Sequence, residues 1–491
     1  MKELLISLQP DEGPALYEQI YQTLRNEIEG GRIPCGERLP STRLMAKNLS
    51  VSRSTVELAY DQLTSEGYIE PKAGSGFFVC DLSNLYTLPA PRETKEREPE
   101  TGGQAKTLPF DFSPYDIDAE HFPFQIWKKI NKEVLVDEEL LSSGDSLGDI
   151  RFRRILCDYL YHARNVDCTP EQMIIGAGNE YLLLILMQLF GNLGRVAMER
   201  PTYMKAYQVL DQTGVELVTV AMDEDGICVE ELERTGANLV YVMPSHQFPL
   251  GTVMPLRRRQ ELLAWAGKGE DRYIIEDDHD SEFRYIGKPI PALQSRDVDG
   301  RVIYLGTFSK SIAPSLRMSY MVLPPKLAKR YQEKLGFYSS TVAATQQRLV
   351  CRFMEEGHFE RHLNRMRGVY KAKRDFLLHL LKGKKWIHTI LGDNAGLHLV
   401  IELNTALTEQ ELLEKVEKEG IRLYGTSHYF TEEDSCFSRV TILLGYGGLS
   451  MDVLEEGIGR LDRLLSQYIS NADAHSMASV AGVGKELRKK A

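Results

Sequence analysis

The chain has 491 residues, of which 43% are hydrophobic and 26% charged, so it is long enough for two or three compact domains and has the composition of a folded, soluble protein. Its formal net charge of −11 counts against nucleic-acid binding by the chain as a whole, so a DNA-binding surface requires a local cluster of Lys and Arg. No apolar run reaches about 18 residues, and the start, MKELLISLQPDEG, lacks a basic segment followed by an apolar core, which argues against a membrane span and a signal peptide and predicts a cytoplasmic protein.

The cysteines lie far apart in the sequence, and none forms a C-x-x-C pair. Zinc sites typically use closely spaced cysteines, and disulfide frameworks belong to short, cysteine-dense secreted domains. The spacing therefore predicts ordinary reduced thiols and no bound metal. The cysteines are Cys35, Cys80, Cys157, Cys168, Cys228, Cys351 and Cys436.

The first 80 residues predict three short helices and a β-hairpin. Amphipathic patterns cover residues 16–28, 41–48 and 52–66. Two glycines end the first helix, a Pro-Ser pair starts the second, and a serine at 50 or 52 caps the third. The segment YIEPKAGSGFFV then alternates around a Gly-Ser-Gly turn, as a two-stranded wing does.

Positive charge is concentrated at residues 38–55, which include Arg38, Arg43, Lys47 and Arg53 and no acidic residue. If the second helix crosses a DNA backbone and the third enters the major groove, the start of the third helix reaches bases and phosphates. Alternatively, three short helices form a generic cap with a solvated basic face. The predicted DNA-binding residues are Arg43, Ser52, Arg53, Ser54, Thr55 and, in the wing, Lys72 and Gly74.

Residues 16–79 resemble the winged helix-turn-helix reader of the GntR superfamily nearly from end to end. The motif GERLPSTR followed by VSRSTV carries the resemblance. It implies that Arg43 and Arg53 contact DNA. Glu57 departs from the pattern, because some members have arginine there, so the operator sequence does not carry over.

A linker rich in Pro, Glu, Lys and Gly is predicted over residues 81–108. Beyond it, apolar strand-like runs alternate with helical patterns, which predicts a doubly wound α/β sheet followed by a smaller α+β region. The predicted domains are a DNA reader at 1–80, an effector domain at 109–470 and a disordered tail at 471–491.

Lys310 follows a predicted strand in IYLGTFSKSIAPSLRMSYMV, with Thr307, Ser309 and Arg317 close enough in sequence to bind a phosphate. A lysine after a strand is usually a surface residue. Upstream, however, RYIIEDDHDSEFRY ends another predicted strand in clustered carboxylates, and ligands of open α/β sheets bind at such strand ends.

A pocket for pyridoxal 5'-phosphate (PLP) needs an amine, an acid for the pyridine nitrogen, an anion cradle and a flat side chain. The predicted cradle is Gly176, Ala177 and Gly178 in GAGNE, at the start of a helix. Tyr203 is the candidate for stacking on the ring. Taken singly, GAGNE is an ordinary tight turn and Tyr203 ordinary packing; their order and separation favour the cofactor.

The motifs ERPTY, PSHQFPLGTVM, EDDHDSEFRY and TFSKSIAPSLRM resemble those of fold-type I aminotransferases, in the same order. The fusion with a GntR-type reader is similar to the MocR subfamily of transcriptional regulators and covers nearly the whole chain. The resemblance implies that Lys310 is the catalytic, Schiff-base residue, that Asp277 pairs with the pyridine nitrogen, that Tyr203 stacks on the ring, that Arg317 holds the phosphate, and that His246 or Gln247 lies near the ring hydroxyl.

Three positions limit what the resemblance implies. His279 stands where relatives usually have a tyrosine that bonds the ring hydroxyl, which makes the site sensitive to imidazole protonation. Lys205 stands where some relatives have an arginine for the effector. Arg439 matches the arginine that clamps a substrate carboxylate, although it is alternatively a surface ion-pair residue.

The expected function is a PLP-dependent regulator that binds a double-stranded DNA operator and senses an amine or amino-acid effector by aldimine exchange at Lys310. The resemblance implies a head-to-tail homodimer, and the aminotransferase-like domain is expected to act as a sensor and not as an enzyme. Two alternatives stay open: an active aminotransferase with an accessory DNA-binding domain, and a regulator that senses PLP itself.

Overall fold

The computed structural model describes Leu8 and residues 14–81, 108–142, 144–191, 194–287, 290–431 and 439–469. The chain folds into two compact units, Met1–Gly103 and Gln104–Ala491. The predicted tail, 471–491, and nearly all of the predicted linker, 82–107, lie outside the described residues.

The N-terminal unit is a three-helix cluster with a two-stranded wing. Its elements confirm the predicted helices to within one residue at each end. They are α1 (Leu16–Glu29), α2 (Thr42–Leu49), α3 (Arg53–Ser65), β1 (Ile69–Lys72) and β2 (Gly76–Val79).

Side-chain caps set where α2 and α3 begin. The Ser41 Oγ accepts from the Leu44 amide at 3.2 Å, and the Ser52 Oγ accepts from the Thr55 amide at 3.1 Å, as expected for N-cap serines. Ser52, not Ser50, is therefore the cap of α3. The helices and wing close one apolar core that includes Ile20, Leu24, Val56, Leu63 and Ile69.

The C-terminal unit combines one large sheet, one small sheet and helices. Its helices are α4 (Phe124–Val134), α5 (Ile150–Arg164), α6 (Asn179–Phe190), α7 (Met204–Asp211), α8 (Val229–Thr235), α9 (Leu256–Gly267), α10 (Pro325–Leu335), α11 (Ala344–Glu355), α12 (His358–Leu381), α13 (Glu409–Lys418) and α14 (Met451–Leu465). Its strands are β3 (Phe110–Asp111), β4 (Met173–Gly176), β5 (Arg195–Arg200), β6 (Glu216–Asp223), β7 (Gly226–Ile227), β8 (Leu239–Val242), β9 (Tyr273–Asp278), β10 (Val302–Thr307), β11 (Ser319–Val322), β12 (Ile387–Leu391), β13 (His398–Leu403), β14 (Ile421–Arg422), β15 (Tyr424–Gly425) and β16 (Thr441–Gly445).

The large sheet has the order β4-β11-β10-β9-β8-β5-β6-β7. Its centre, from β10 to β6, is parallel, whereas β11 runs antiparallel to both of its neighbours. Ile274 packs in the cluster that contains α8 and α9 residues, and the next residue, Ile275, packs in the cluster with α6 and α10. Successive side chains of a strand point to opposite faces, so helices cover both faces and the predicted doubly wound α/β sheet is confirmed.

The small sheet has the order β12-β13-β16-β15 and is antiparallel throughout. It confirms the predicted α+β region. Residues 421–429 form two short strands followed by one helical turn. Strand β14 pairs with β3, and β15 pairs with β16. Among the described residues, no helix combines the length and the apolar character that a membrane crossing requires.

Candidate functional site

A cavity of about 150 Å³ lies at the carboxyl ends of β9 and β10 in the C-terminal unit. We call it the strand-end cavity. It brings together many of the side chains that the sequence motifs single out, from segments more than a hundred residues apart. These are Gly178, Tyr203, Lys205, Asp277, His279, Thr307, Ser309, Lys310 and Arg317; the lining also includes Tyr115, Asn179, Tyr241, Phe248, Asp280 and His398.

Lys310 lies in the turn that follows β10, and its Nζ donates to the Pro114 carbonyl at 2.6 Å. Burial lowers the pKa of this amine to about 8, because a charged ammonium is poorly solvated there. The carboxylates of Asp280 and Asp116 act in the opposite direction, and the Lys205 cation adds to the lowering. Lys310 therefore releases its proton more readily than an ordinary lysine, which favours its use as a nucleophile.

Asp277 lies at the end of β9 and is buried. It accepts hydrogen bonds from the Tyr241 hydroxyl and, at 3.1 Å, from the Asn179 Nδ2. Burial raises the pKa of this carboxyl, while the His279 charge and the two hydrogen bonds act to lower it. Both donors hold Asp277 in one orientation toward the cavity.

Two histidines contact the Asp280 carboxylate. The His246 Nδ1 lies 2.9 Å from one oxygen, and the His279 Nε2 lies 3.3 Å from the same oxygen. Burial acts to lower the pKa of His279, but the charge and hydrogen bond of Asp280 outweigh it and raise the pKa overall. The carboxylate in turn has a pKa well below its usual range, despite burial, because the two imidazoles stabilise its charge. The Asp280 carboxylate therefore favours the protonated form of His279, which lines the cavity.

At the turn after β4, Gly178 is the N-cap residue of α6. This residue has a φ of 95°, and a Cβ there would collide with the Arg317 Nη2 and come within 2.8 Å of the Glu180 Oε2. Arg317 itself bonds Glu180 at 2.6 Å. The Asn179 Oδ1 is buried and has no hydrogen-bond partner within the described residues.

Besides His246, which bonds Asp280, four of the predicted site residues lie outside the cavity lining as far as the chain is described. Gly176 is packed against Leu182, and the Ala177 amide donates to the Thr341 hydroxyl at 3.1 Å. Gln247 is buried, and its side chain donates at 2.9 Å to the carbonyl of Pro201, which lies two residues before Tyr203. Arg439 is the fourth.

Several lining residues were missed by the sequence reasoning. Tyr241 lies within a predicted strand, and Asn179 lies within the GAGNE motif. Both donate hydrogen bonds to Asp277, which neither sequence position indicates. Tyr115 bonds the Tyr429 hydroxyl at 2.8 Å across 314 residues. The Lys205 ammonium lies 5.5 Å from the Tyr115 ring centroid. No local pattern indicates contacts over such separations.

In the N-terminal unit, the predicted DNA-binding side chains are mostly exposed at the start of α3 and in the wing. Arg53 Nε pairs with Glu57 at 2.7 Å, and Lys72 pairs with Glu70 at 3.0 Å. The Ser52 Oγ lies 2.8 Å from the Ser54 Oγ and 2.7 Å from the Thr55 Oγ1, in addition to capping α3. Three hydroxyls therefore cluster at this helix N-terminus. Arg43 is exposed on α2, and Gly74 has a φ of 73° at the tip of the wing.

Family models match both units of the chain. The model "Bacterial regulatory proteins, gntR family" matches residues 16–79, and "Aminotransferase class I and II" matches residues 106–443. The probable rhizopine catabolism regulatory protein MocR of Rhizobium meliloti is 34% identical over 93% of this chain and 95% of its own. The chain belongs to the MocR subfamily of GntR-type transcriptional regulators.

A second regulator is similar to nearly the whole chain, and a solved aminotransferase structure is similar to most of it. The uncharacterised HTH-type transcriptional regulator YdeL of Bacillus subtilis is 39% identical to this MocR-type chain, over 91% of it and 96% of YdeL. The crystal structure of kynurenine aminotransferase from Pyrococcus horikoshii, in complex with PMP, matches with a TM-score of 0.64 and 25% identity; it covers 74% of this chain and 92% of its own. The C-terminal unit therefore has the fold-type I aminotransferase fold.

Proposed function

We propose that this MocR-type regulator binds PLP at Lys310 and senses an amine or amino-acid effector there, with a consequent change in its affinity for a double-stranded DNA operator. One observation carries the proposal. The strand-end cavity combines an amine of lowered pKa, a buried carboxylate at Asp277 and a glycine turn at the start of α6 beside the Arg317 guanidinium. Class I and II aminotransferases use PLP, and these are the groups that PLP requires.

The cavity residues fit the cofactor. The Arg317 guanidinium and the backbone amides at the N-terminus of α6 suit a phosphate, which would take the place of the Glu180 carboxylate that Arg317 bonds. Asp277 suits a protonated ring nitrogen, and the unpartnered Asn179 oxygen leaves an acceptor for a donor group. The hydroxyls of Thr307 and Ser309 line the same wall. In this proposal Tyr203 flanks the ring, and Gln247 positions the turn before Tyr203.

When bound, PLP supplies a carbonyl that takes up amines and an electron-withdrawing ring. The residues of this chain control the protons around it. Burial lowers the pKa of Lys310 to about 8, and the Asp280 carboxylate raises the pKa of His279. In this proposal the His279 imidazole donates a hydrogen bond to the ring hydroxyl, and the raised pKa of His279 favours the form in which both ring nitrogens are donors.

Lys205 is the cation that we assign to an effector carboxylate. It lines the strand-end cavity and lies over the Tyr115 ring, which limits the positions its ammonium adopts. Arg439 lies outside the lining of the described cavity, so it has the weaker claim to this role. Amino acids and other amines that bear an acid group are therefore the effector class that the cavity favours.

Regulators of the GntR type bind DNA operators. We assign the base contacts to Arg53 and the phosphate contacts to Arg43, Ser54, Thr55 and the wing residue Lys72, with Gly74 allowing close approach of the wing. An effector changes DNA affinity only by as much as it binds the two states of the protein differently. A head-to-tail homodimer would present two readers to paired half-sites.

The proposal is tested with an operator duplex selected from a random DNA pool and labelled for fluorescence anisotropy. We expect PLP followed by an effective amino acid to shift the operator Kd of the wild type and to leave that of Lys310→Ala unchanged. An equal shift in both proteins would contradict sensing at Lys310. A shift with PLP alone would instead favour PLP as the sensed ligand, and multiple turnovers with a keto acid would favour an enzyme.

A further inference from the structure

Two cysteines lie together in the C-terminal unit, away from the strand-end cavity. Cys157 belongs to α5, and Cys168 follows the end of that helix. Their sulfur atoms are 3.5 Å apart, with the Cys168 thiol donating to Cys157. The pair spans α5 and the segment that leads into β4, which ends at the Gly178 turn.

We propose that Cys157 and Cys168 form a site of reversible oxidation, at which hydrogen peroxide converts the two thiols into an intramolecular disulfide. The proposal rests first on geometry: the side chains already point at each other, and forming a bond of about 2.05 Å requires the sulfurs to approach by only about 1.5 Å. Cys35 lies near enough to Cys80 to raise its pKa, but no hydrogen bond joins these two sulfurs within the described residues, as one joins Cys157 and Cys168.

The two sulfurs differ in solvent exposure and in pKa. Cys157 is 8% exposed, whereas Cys168 is partly exposed, so a small oxidant reaches the pair from the Cys168 side. The hydrogen bond from Cys168 lowers the pKa of Cys157, although burial opposes this, and it raises the pKa of Cys168. Cys157 is therefore the more acidic of the two thiols, and the thiolate is the reactive form of a cysteine.

The chemistry balances with one peroxide per pair. The Cys157 thiolate attacks a peroxide oxygen, the O–O bond breaks, and the departing hydroxide takes up a proton to become water, which leaves a sulfenic acid on Cys157. The Cys168 sulfur then attacks the sulfur of that acid, forms the S–S bond and expels a second water, which includes the Cys168 proton. Two thiols are oxidised, the peroxide is reduced, and a dithiol reductant reverses the reaction.

The loop that the disulfide closes includes Arg164, the last residue of α5. The Arg164 Nε bonds the Asp278 carboxylate at 2.8 Å, and Asp278 lies next to Asp277 at the end of β9. Oxidation of the pair would therefore constrain the helix end that supports the strand-end cavity.

The test uses the full-length protein, treated with one equivalent of hydrogen peroxide, alkylated with N-ethylmaleimide, digested and analysed by mass spectrometry. We expect a peptide pair joined through Cys157 and Cys168, lighter by two hydrogen atoms, that dithiothreitol separates. Cys168→Ser should abolish it, and Cys228→Ser, at another partly exposed cysteine, should not.

Two results would overturn the proposal. Either Cys157 and Cys168 stay fully alkylated while other cysteines react, or each gains oxygen atoms without forming a crosslink. The control is the same peroxide treatment of protein unfolded in guanidinium. If the fold brings Cys157 and Cys168 together, their specific crosslink should be replaced there by a mixture of cysteine pairings. Circular dichroism shows whether Cys168→Ser is folded. The peptide mapping of the wild type tests the proposal even if that variant is not, and it requires no substitution at the buried Cys157.

Discussion

The two units hold their candidate functional side chains in opposite environments. In the DNA reader, the side chains of Arg53 and Glu57 are 58% and 41% exposed and pair with each other along one helix. At the strand-end cavity, the side chain of the lining residue Asp280 is 3% exposed and is bonded to the His246 side chain, which is 1% exposed. Exposed groups can therefore be changed with little effect on folding, whereas buried charges serve folding and chemistry together.

The largest expected effect is on stability, from Arg164→Ala. Arg164 and Asp278 form a buried ion pair, and the Tyr304 hydroxyl also donates to Asp278 at 2.6 Å. Loss of the guanidinium leaves a buried carboxylate without its cation, so we expect the free energy of unfolding to fall by roughly 3–5 kcal/mol. Urea denaturation followed by tryptophan fluorescence measures it, since Trp127, Trp265 and Trp386 all belong to the C-terminal unit.

Arg257→Ala is the matched control in the same unit. Arg257 forms an exposed pair with Glu261 at 3.0 Å, and such pairs contribute about 0–1 kcal/mol. If both variants lost the same stability, the contrast between buried and exposed charges would not hold for this protein.

Arg53→Ala should affect DNA binding and leave the fold intact. An arginine that reads a base edge contributes roughly 1–3 kcal/mol, so we expect the operator Kd to rise by about fivefold to about 150-fold. Arg25→Ala is the control, because Arg25 forms a comparable exposed pair with Glu29 at 2.9 Å but lies on α1, outside the predicted surface. Anisotropy titrations in which both variants bind like the wild type would remove Arg53 from the interface.

Gly178→Ala should weaken cofactor binding. A Cβ at this position would displace Arg317, and a φ of 95° disfavours alanine by about 1–3 kcal/mol. We expect the Kd for PLP to rise by about tenfold by fluorescence titration. Gly214→Ala, with a φ of 76° and no atom within 4 Å of the added Cβ, controls for backbone strain alone. Equal losses in both variants would argue against a cradle at Gly178.

The smallest effect is a pH dependence. The protonated Lys310 amine does not attack a carbonyl, and its pKa is about 8, against about 10.4 for an ordinary lysine. The rate at which PLP forms a borohydride-reducible adduct should therefore rise with pH and level off above about pH 8. A rate that continued to rise to pH 10 would mean that the lysine which reacts is not buried.

The sequence predicted the elements of both units well, because amphipathic periods, serine caps and apolar strand runs are local signals. The helix starts at Ser41 and Ser52 are examples. The antiparallel strand β11 was not predicted as a strand, since the residues that follow the Lys310 turn carry no signal for the direction of pairing.

The site was harder to predict than the fold. Motif order indicates Lys310 and Asp277, but the hydrogen bond from Tyr241 to Asp277 and the pairing of His246 with Asp280 depend on how separate strands end side by side. Gln247 was predicted to lie near the ring hydroxyl because of its motif. It adjoins His246 in sequence, yet its side chain bonds the Pro201 carbonyl. Neighbours in sequence point in different directions at a turn, so a motif identifies a region better than an atom.

The central claim is that Lys310 holds PLP, and one measurement addresses it directly. Wild type, Lys310→Ala and Lys205→Ala are each incubated with PLP, reduced with borohydride, digested and mapped by mass spectrometry, with absorption spectra recorded before reduction. We expect a reducible absorption band and a phosphopyridoxyl group on Lys310 in the wild type and in Lys205→Ala, and neither in Lys310→Ala. A modification that persists in Lys310→Ala at the same yield would contradict the account.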